Sequence, residues 1–317
     1  MQQTSTLRRS GRAKPPIPIV NGSELRVMLY RWDADGAGVS EHGTPVELLK
    51  EAEPFAKGEC RDAFRVKCTA DIFDGESWPY VLKLSRPARY AMINEERYKL
   101  DSDTTKAAHE AEVISTMLSR GFADEWNKKL DAAHLDYKRI RVVPAALVQL
   151  GEHVFGTIEP LVEEFLPPGA FVHYNSPFGE EENSDDLEVK ETPQVRERRE
   201  TLAAFSHFTM TCSPTFVGAD KFGLGADKQV VLDLQGTHTQ SKIILTDLQV
   251  CRRRGQQLGT PFMEIRHAGF GGFCQHHKCN AVCKRLMKAE LMGQLPPGQP
   301  REVDAPDIDA NPYWVLD

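Results

Sequence analysis

The segment VVLDLQGTHTQSKIILTDLQV, residues 230–250, contains two apolar runs that are interrupted or followed by acidic and amide residues. The runs, 230–235 and 243–246, are separated by Gly, Thr, His and Ser, which predicts a β-hairpin with a long turn. Asp233 and Gln235 are two positions apart on the first run and should point to the same side of the sheet. Asp247 follows the second run, so the hairpin would bring all three side chains to one edge.

These three side chains have the chemistry of a cation site. A carboxylate and an amide oxygen suit a hard cation such as Mg²⁺, which takes its remaining ligands from water and phosphate. A second carboxylate that does not bind the metal can orient a hydroxyl group and accept its proton. The alternative is that Asp233 and Asp247 only cap loops at strand ends. Without other evidence, that is the more common role for such residues.

A lysine and a glutamate lie on neighbouring elements earlier in the chain. Lys83 ends the predicted strand YVLK, residues 80–83, and Glu110 lies on the helix that follows. Apolar residues recur at helical spacing there, and we expect Asp103 to cap the helix and Gly121 to end or kink it. A strand lysine paired with a helix carboxylate can hold the phosphates of a nucleotide. A solvated Lys83 is the ordinary alternative.

The common phosphate-binding signatures are missing from the sequence. It has no G-x-x-x-x-G-K-[ST] segment, no H-R-D loop and no D-F-G. A P-loop enzyme and an ordinary protein kinase are therefore not supported.

Three further patterns organise the rest of the chain. The β-branched run IRVVPAALVQL, residues 140–150, predicts a strand bent at Pro144, which cannot donate to a ladder. A second strand is predicted at 159–166 and is closed by the turn residues PPG, 167–169, where we expect the boundary between two halves. Residues 194–209 predict a helix.

A metal-ligand pattern occurs in QHHKCNAVCKRL, residues 275–286. On a helix, Cys279 and Cys283 would lie on one face, as two thiolate ligands of a tetrahedral zinc require, and His277 would come from the preceding turn. A fourth ligand could come locally from Cys274 or His276, or from His207 on the predicted helix 194–209. The alternative is a set of reduced core cysteines and a surface histidine. A thiolate-rich site with four protein ligands would be structural.

Composition sets the broad class. The chain has 317 residues, 40% hydrophobic and 27% charged, with a net charge of -7. The composition excludes disordered and collagenous chains. The negative net charge argues against a basic surface that binds nucleic acid and would instead attract basic partners. There is neither a signal-peptide pattern nor an apolar run of ~18–20 residues, and seven cysteines in so large a chain favour the cytoplasm or nucleus over an oxidising compartment.

The order of these motifs resembles the atypical alpha-kinase family, which includes myosin heavy-chain kinases, elongation-factor-2 kinase and kinase domains of certain ion channels. The similarity extends from about residue 55 to 286. It is carried by FAKGECRDAFR, YVLK, HEAEV, VEEFLPPGAFVHYNS, AFSHFTM, VVLDLQG, LTDLQ and HKCNAVCKRL.

The resemblance implies an α+β, two-lobed protein-kinase-like fold with a structural zinc site in the C-terminal lobe. The kinase domain would occupy 21–292, with lobes at about 21–166 and 167–292, between loose tails at 1–20 and 293–317. It implies ATP-dependent transfer of a phosphoryl group to serine or threonine, threonine above all, of a protein substrate. Neither nucleic acid nor a membrane is implied as a partner.

The resemblance also assigns roles to individual residues. It implies that Lys83 contacts the ATP phosphates, steadied by Glu110, and that Asp233 is the catalytic aspartate. The other implied roles are Glu163 at the adenine, Gly58 and Arg61 over the phosphates, Gln235 and Asp247 on Mg²⁺, and His207, His277, Cys279 and Cys283 on zinc.

Three departures from the family pattern bear on activity. Leu248 replaces the proline of T-D-P-Q, and His173 replaces the lysine of K-Y-N. Of a Gly-Asn-Leu-Gly-type loop, linked in the family to peptide substrates, only residues 269–272 remain. A zinc-stabilised scaffold that binds nucleotide or partners without phosphoryl transfer is therefore the alternative function.

Overall fold

The computed structural model describes residues 22–33, 38–58, 61–68, 70–73, 79–85, 102–152, 154–162, 170–175, 192–212, 228–252 and 263–286. In chain order the strands are β1 (Ser23–Tyr30), β2 (Trp32–Asp33), β3 (Gly38–Val39), β4 (Thr44–Lys50), β5 (Ala56–Lys57), β6 (Arg61–Cys68), β7 (Tyr80–Ser85), β8 (Arg139–Val142), β9 (Ala146–Gln149), β10 (Phe155–Pro160), β11 (Val172–His173), β12 (Gln229–Leu232), β13 (Gln235–His238), β14 (Lys242–Thr246) and β15 (Gln249–Arg252). The helices are α1 (Ser102–Ala132), α2 (Pro193–Cys212), α3 (Met263–His276) and a short α4 at 281–286.

Seven strands form the larger sheet, in the order β4-β1-β9-β10-β7-β6-β5. Because β4 also pairs with β6, with Leu48 opposite Cys68, six of these strands close into a ring. Alternate side chains point into the ring, and its apolar cluster includes Leu29, Leu48, Val66, Leu82 and Ile158. Closure leaves fewer sheet edges exposed and gives β7 and β10 a rigid setting.

Pro144 separates two strands that belong to different sheets. The sequence predicted one bent strand over 140–150, but β8 ends at Val142 and β9 begins at Ala146. β8 pairs in parallel with β14 in a four-stranded sheet of order β11-β13-β14-β8, whereas β9 joins the ring. The missing N–H of proline explains why neither ladder continues through this position.

Helix α1 is longer than predicted. It begins at Ser102, one residue before the expected cap Asp103, and Gly121 does not end it. The helix continues because Phe122, Trp126 and Leu130 are almost fully buried in a second apolar cluster. Trp126 packs edge-on against Phe205 and Phe208 of α2, with ring centroids 5.8 and 5.5 Å apart. The predicted helix at 194–209 is confirmed as α2.

A hairpin does connect the two predicted runs, but different strands form it: residues 236–238, expected in the turn, belong to β13, and the first run forms β12, which pairs with β15 and not with β14. β13 and β14 pair antiparallel with Gln235 opposite Thr246, and the flanking strands β12 and β15 pair with Leu232 opposite Gln249. Asp233 interrupts the first run, so it does not lie on one continuous strand with Gln235 as expected. It has a φ of 55°, and Asp247 has a φ of 59° at the matching break between β14 and β15.

Several predicted boundaries lie outside the described residues. These are the tails at 1–20 and 293–317, the residues around 166 and positions 163–166 of the strand predicted at 159–166. The described part of that strand differs from the prediction, because β10 begins earlier, at Phe155, and ends at Pro160. In the parts of the chain that are described, no helix is both long and apolar enough to cross a membrane.

Candidate active site and metal centre

Lys83 lies where the ring meets the hairpin. Its side chain is 8% exposed, and its ammonium group is 2.8 Å from Glu159 Oε1 and 2.6 Å from Asp247 Oδ1. It also donates to Thr246 Oγ1 at 3.3 Å. Glu159 belongs to β10, next to β7, whereas Thr246 ends β14 and Asp247 follows it, so Lys83 joins the two sheets.

The expected pair of Lys83 with Glu110 is not formed. Glu110 contacts Lys106 at 3.3 Å on the surface of α1, with 34% of its side chain exposed. The α1 carboxylate that turns inward is Glu112, which pairs with Arg61 and accepts a hydrogen bond from Thr157. Glu112 is two positions further along α1 than the predicted residue, on a different face of the helix.

Arg61 and Lys83 converge on one carboxylate oxygen. Arg61 Nη2 is 3.4 Å from the same Asp247 Oδ1 that Lys83 contacts. Burial alone would raise the pKa of Asp247, but the two cations outweigh it and lower this pKa to about 2. Burial raises the pKa of Glu159, an effect opposed by Lys83. A negatively charged ligand entering here would find two basic groups already oriented.

Asp233 is held by hydrogen bonds from two amides. Gln235 Nε2 donates to Asp233 Oδ2 at 3.3 Å, and Gln249 Nε2 donates to the same oxygen at 3.2 Å. The following residue is also fixed, because Leu234 N donates to the side chain of Asn175 at 2.7 Å. These contacts set the direction of the Asp233 carboxylate.

Gln235 and Asp247 fit a cation site in the chemistry of their atoms. The Gln235 amide nitrogen donates to Asp233 and, at 3.4 Å, to the backbone oxygen of Asp247. Its amide oxygen is therefore the atom that can coordinate a hard cation, together with the Asp247 carboxylate. The residue after Gln235 has to be glycine for two reasons. A Cβ atom at Gly236 would lie 2.0 Å from the backbone oxygen of Ile244, and the backbone there has a φ of 151°, which other residues rarely adopt.

Of the two other residues expected at the nucleotide, the structure describes only Gly58. Gly58 N donates to Arg61 O at 2.8 Å, which closes a tight loop between β5 and β6 and places Gly58 near the Arg61 side of the site. Glu163, expected at the adenine, lies outside the described residues.

Sequence reasoning missed four residues that the structure brings to this site: Glu112, Glu159, Asn175 and Gln249. A signal for Gln249 was available, because D-L-Q occurs twice, at 233–235 and 247–249. Pairing of the two strand breaks places each glutamine near the opposite aspartate. Glu159 and Glu112 carried no comparable signal, since single glutamates on a strand and a helix are common.

A buried histidine lies behind Arg61. His109 is 1% exposed, its Nε2 is 2.9 Å from Ser85 Oγ, and its Nδ1 is 3.6 Å from Glu112 Oε2. Burial, and then the charge of Arg61, lower the pKa of His109 to about 3. The imidazole is thus neutral at physiological pH.

A second cluster contains the four residues expected at zinc. The ligand atoms of His207, His277, Cys279 and Cys283 all lie within 4.8 Å of one another. His277 Nε2 is 3.1 Å from His207 Nδ1, Cys279 Sγ is 3.5 Å from His207 Nδ1, and Cys283 Sγ is 3.7 Å from His277 Nε2. Of the alternatives for the fourth ligand, His207 joins this cluster.

These separations fit a tetrahedral zinc. Zn–N bonds of ~2.05 Å and Zn–S bonds of ~2.3 Å place two nitrogens about 3.3 Å apart and a nitrogen and sulfur about 3.6 Å apart. Hydrogen bonds from Cys283 and the two histidines lower the pKa of Cys279 to about 2, while the bond to Cys279 and burial raise the pKa of Cys283. Zinc binds cysteine as the thiolate, so loading this site would release protons from the two cysteines.

The local structure around the cysteines differs from the prediction. Cys279 is not on a helix with Cys283, because α3 ends at His276 and α4 begins at residue 281. Asn280 caps α4 instead, accepting from the backbone N–H groups of Val282 and Cys283 at 3.0 Å. The cap fits a known preference of asparagine and lets the chain fold back toward His207.

A family model described as the alpha-kinase family matches residues 56–283, almost three quarters of the chain. The chain belongs to the alpha-kinase family. The matched range contains Arg61, Lys83, the D-L-Q hairpin and the complete His/Cys cluster.

Relatives of this alpha-kinase chain are larger proteins. Alpha-protein kinase 1 of Dictyostelium discoideum is 28% identical over 268 residues, which are 84% of this chain and 16% of that protein. Eukaryotic elongation factor 2 kinase of Rattus norvegicus is 25% identical over 265 residues, 81% of this chain and 28% of that protein. The chain spans less than a third of the length of either relative.

Solved alpha-kinase domains show the same fold. The domain of myosin heavy chain kinase A in complex with ADP matches with a TM-score of 0.55 at 20% identity, covering 85% of this chain and 98% of that domain. Its complex with AMP-PNP gives a TM-score of 0.53 at 21% identity, covering 85% of this chain and 97% of that domain. The kinase-like fold of mixed helices and strands that the resemblance implied is confirmed.

Proposed function

We propose that this chain is an ATP-dependent protein kinase that transfers the γ-phosphoryl group of ATP to a serine or threonine hydroxyl, threonine above all. The observation that carries the proposal is the convergence of Lys83 and Arg61 on Asp247, within hydrogen-bonding range of the pair formed by Gln235 and Asp233. Phosphoryl transfer needs these groups together: cations for the phosphates, ligands for a metal ion and an oriented carboxylate.

Each group has one role in this proposal. Lys83 and Arg61 bind the phosphates, Gln235 and Asp247 hold Mg²⁺, and Asp233 orients the acceptor hydroxyl and accepts its proton. Bound Mg²⁺ would neutralise part of the phosphate charge. Catalysis then comes from positioning and electrostatic stabilisation, because the protein forms no covalent bond.

The remaining roles follow the family. Gly58 would cover the phosphates and Glu163 would face the adenine. Zinc at His207, His277, Cys279 and Cys283 would be structural, since thiolate-rich sites with four protein ligands keep no open position. Thiolate ligands favour a reducing compartment, the cytoplasm or nucleus. The net charge of -7 makes basic protein acceptors the sensible first substrates.

A second candidate function is a zinc-stabilised scaffold that binds nucleotide without transferring phosphate. It is favoured by residues 269–272, the remnant of the glycine-rich loop, because they lie within helix α3 and form no loop. The intact set of Lys83, Asp233, Gln235 and Asp247 favours the kinase.

The test is incorporation of phosphate from Mg-ATP into generic basic proteins by the wild type and by Asp233→Ala. We expect the substitution to reduce the rate at least 100-fold, since general-base groups contribute about 10²–10⁴-fold. Asp136→Ala, at an exposed aspartate after α1, is the matched control and should keep wild-type activity. Equal rates for wild type and Asp233→Ala would overturn the kinase. Nucleotide binding without turnover by the wild type would favour the scaffold.

A further inference from the structure

We propose that Glu159 is the positioning residue that holds Lys83 in the orientation needed to bind ATP phosphates. This inference rests on the proposed function and assigns to a strand the task that the sequence assigned to a helix residue, Glu110. Glu159 lies on β10, the neighbour of β7 in the ring.

The register of the two strands explains why Glu159 reaches Lys83. Thr157 lies directly opposite Lys83, and Glu159 lies opposite Val81. Glu159 is two residues from Thr157, so both side chains point to the same face as Lys83. A diagonal neighbour on a paired strand is within reach of a long side chain such as lysine.

Both carboxylate oxygens of Glu159 are used. Oε1 is 2.8 Å from Lys83 Nζ, and Oε2 accepts a hydrogen bond of 2.8 Å from Thr246 Oγ1. The residue is 6% exposed. A carboxylate fixed at both oxygens and shielded from water cannot rotate away, so it defines where the lysine ammonium lies.

Thr246 makes this contact a link between the ring and the hairpin. Thr246 ends β14 and precedes Asp247, the expected metal ligand. Its hydroxyl donates to Glu159 and accepts from Lys83. Glu159 therefore holds Lys83 in register with Asp247.

The need for a second carboxylate follows from the chemistry of nucleotide binding. Lys83 contacts both Glu159 and Asp247, yet Asp247 has to serve the cation when Mg-ATP binds. Glu159 is the partner that can remain on Lys83 throughout. The α1 carboxylates do not compete for this role, because Glu112 pairs with Arg61 and Glu110 pairs with Lys106.

The first experiment measures equilibrium binding of a non-hydrolysable ATP analogue, with Mg²⁺ present, to the full chain. Glu159→Gln keeps the shape of the side chain and removes its charge, and we expect the dissociation constant to rise about tenfold or more. Glu125→Gln, at a partly exposed glutamate of α1 paired with Lys128, is the control and should bind as the wild type does. Wild-type affinity in Glu159→Gln, or a comparable loss in Glu110→Gln with none in Glu159→Gln, would overturn the proposal.

A double-mutant cycle separates positioning from general damage to the site. If Glu159 acts through Lys83, adding Glu159→Gln to Lys83→Met should cause no further loss of affinity for the analogue. Independent, multiplying losses would overturn the proposal. Should Glu159→Gln fail to fold, Thr246→Val gives the same test by freeing Oε2, and unchanged affinity in that variant would count against the proposal.

Binding of the analogue is measured without turnover, so the result does not depend on phosphoryl transfer. If the wild type binds the analogue but transfers no phosphate, the proposed kinase function fails. The binding data for the Glu159 variants then still test whether Glu159 positions Lys83. In an active enzyme we expect Glu159→Gln to raise KM for ATP more than it lowers kcat, which a purely structural defect would not do.

Discussion

Asp233 and Asp247 both adopt a left-handed backbone conformation, which costs most side chains free energy but which aspartate tolerates. Each directly follows a strand and begins a D-L-Q repeat, and the contacts of its side chain stabilise this conformation. Asp233 accepts from Gln235 and Gln249, and Asp247 contacts Lys83 and Arg61. The repeat therefore places one carboxylate among amide donors and the other among cations, which gives two chemically different carboxylates from one motif.

At the same scale, His109 makes stability depend on pH. Its pKa is about 3 in the folded chain, against an ordinary value of 6.5. Between these values the unfolded chain binds a proton that the folded chain does not. The contribution to stability is complete above pH 6.5 and is lost as the pH falls toward 3, at about 1.4 kcal/mol per pH unit.

We expect His109→Gln to flatten this dependence. Between pH 6.5 and 5 the free energy of unfolding of the wild type should fall about 2 kcal/mol more than that of the variant. Urea denaturation at the two pH values measures the difference. His42→Gln, at an exposed histidine, should keep the wild-type slope. Parallel curves for wild type and His109→Gln would contradict the assignment.

Among the helices and strands, the sequence predicted those marked by a local apolar pattern and missed the features that depend on packing between elements. Helix α2 and the strands β7, β12 and β14 follow from local runs of apolar residues, whereas β13, with the sequence QGTH, carries no such run and was mostly expected in a turn. Helix α1 does not end at Gly121, one of the two predicted outcomes there, because burial of Trp126 outweighs the helix penalty of glycine. The inward-facing glutamate of α1 could not be chosen without knowing which face of the helix meets Arg61. Cys279 was placed on a helix because periodicity did not reveal the cap at Asn280.

Asn280 connects α4 with α2, and its substitution should lower the free energy of unfolding measurably. Its Oδ1 caps α4, and its Nδ2 donates to Glu200 O of α2 at 2.8 Å. We expect Asn280→Ala to lower the free energy of unfolding by about 1–2 kcal/mol, because a helix cap and a bond to α2 are lost. Asn280→Asp keeps the cap and should lose less. Denaturation of the zinc-loaded protein measures both, and a fully stable Asn280→Ala would contradict the role of the cap.

Across the whole molecule, α2 connects the His/Cys cluster to the proposed catalytic residue. His207 lies between Ser206 and Thr209 on the buried half of α2. The Ser206 hydroxyl donates to Val231 O at 2.7 Å, and Val231 N donates to Thr209 Oγ1 at 3.0 Å. Val231 is two residues before Asp233, so β12, the strand that leads into Asp233, is hydrogen-bonded to the helix that carries a metal ligand.

This connection predicts that removing zinc affects the entire fold. Structural zinc supplies ~10 kcal/mol or more, which is comparable with the whole stability of a domain of ~5–15 kcal/mol. We expect one zinc per chain by elemental analysis, and loss of helical circular dichroism when a strong chelator removes it. His207→Ala should behave like the chelated protein, because it deletes a ligand and leaves an unpaired cluster beside Val231.

The control for zinc removal is Cys274→Ser, since Cys274 lies on α3 close to the cluster in sequence but is not among its four ligands. This variant should retain one zinc and the wild-type spectrum. A folded wild-type sample with substoichiometric zinc would contradict the structural role. A third outcome is loss of zinc with an unchanged spectrum and a reduced nucleotide-dependent activity. The ring and its apolar core would then be folded without zinc, and the cluster would act only locally, on Asp233 through α2.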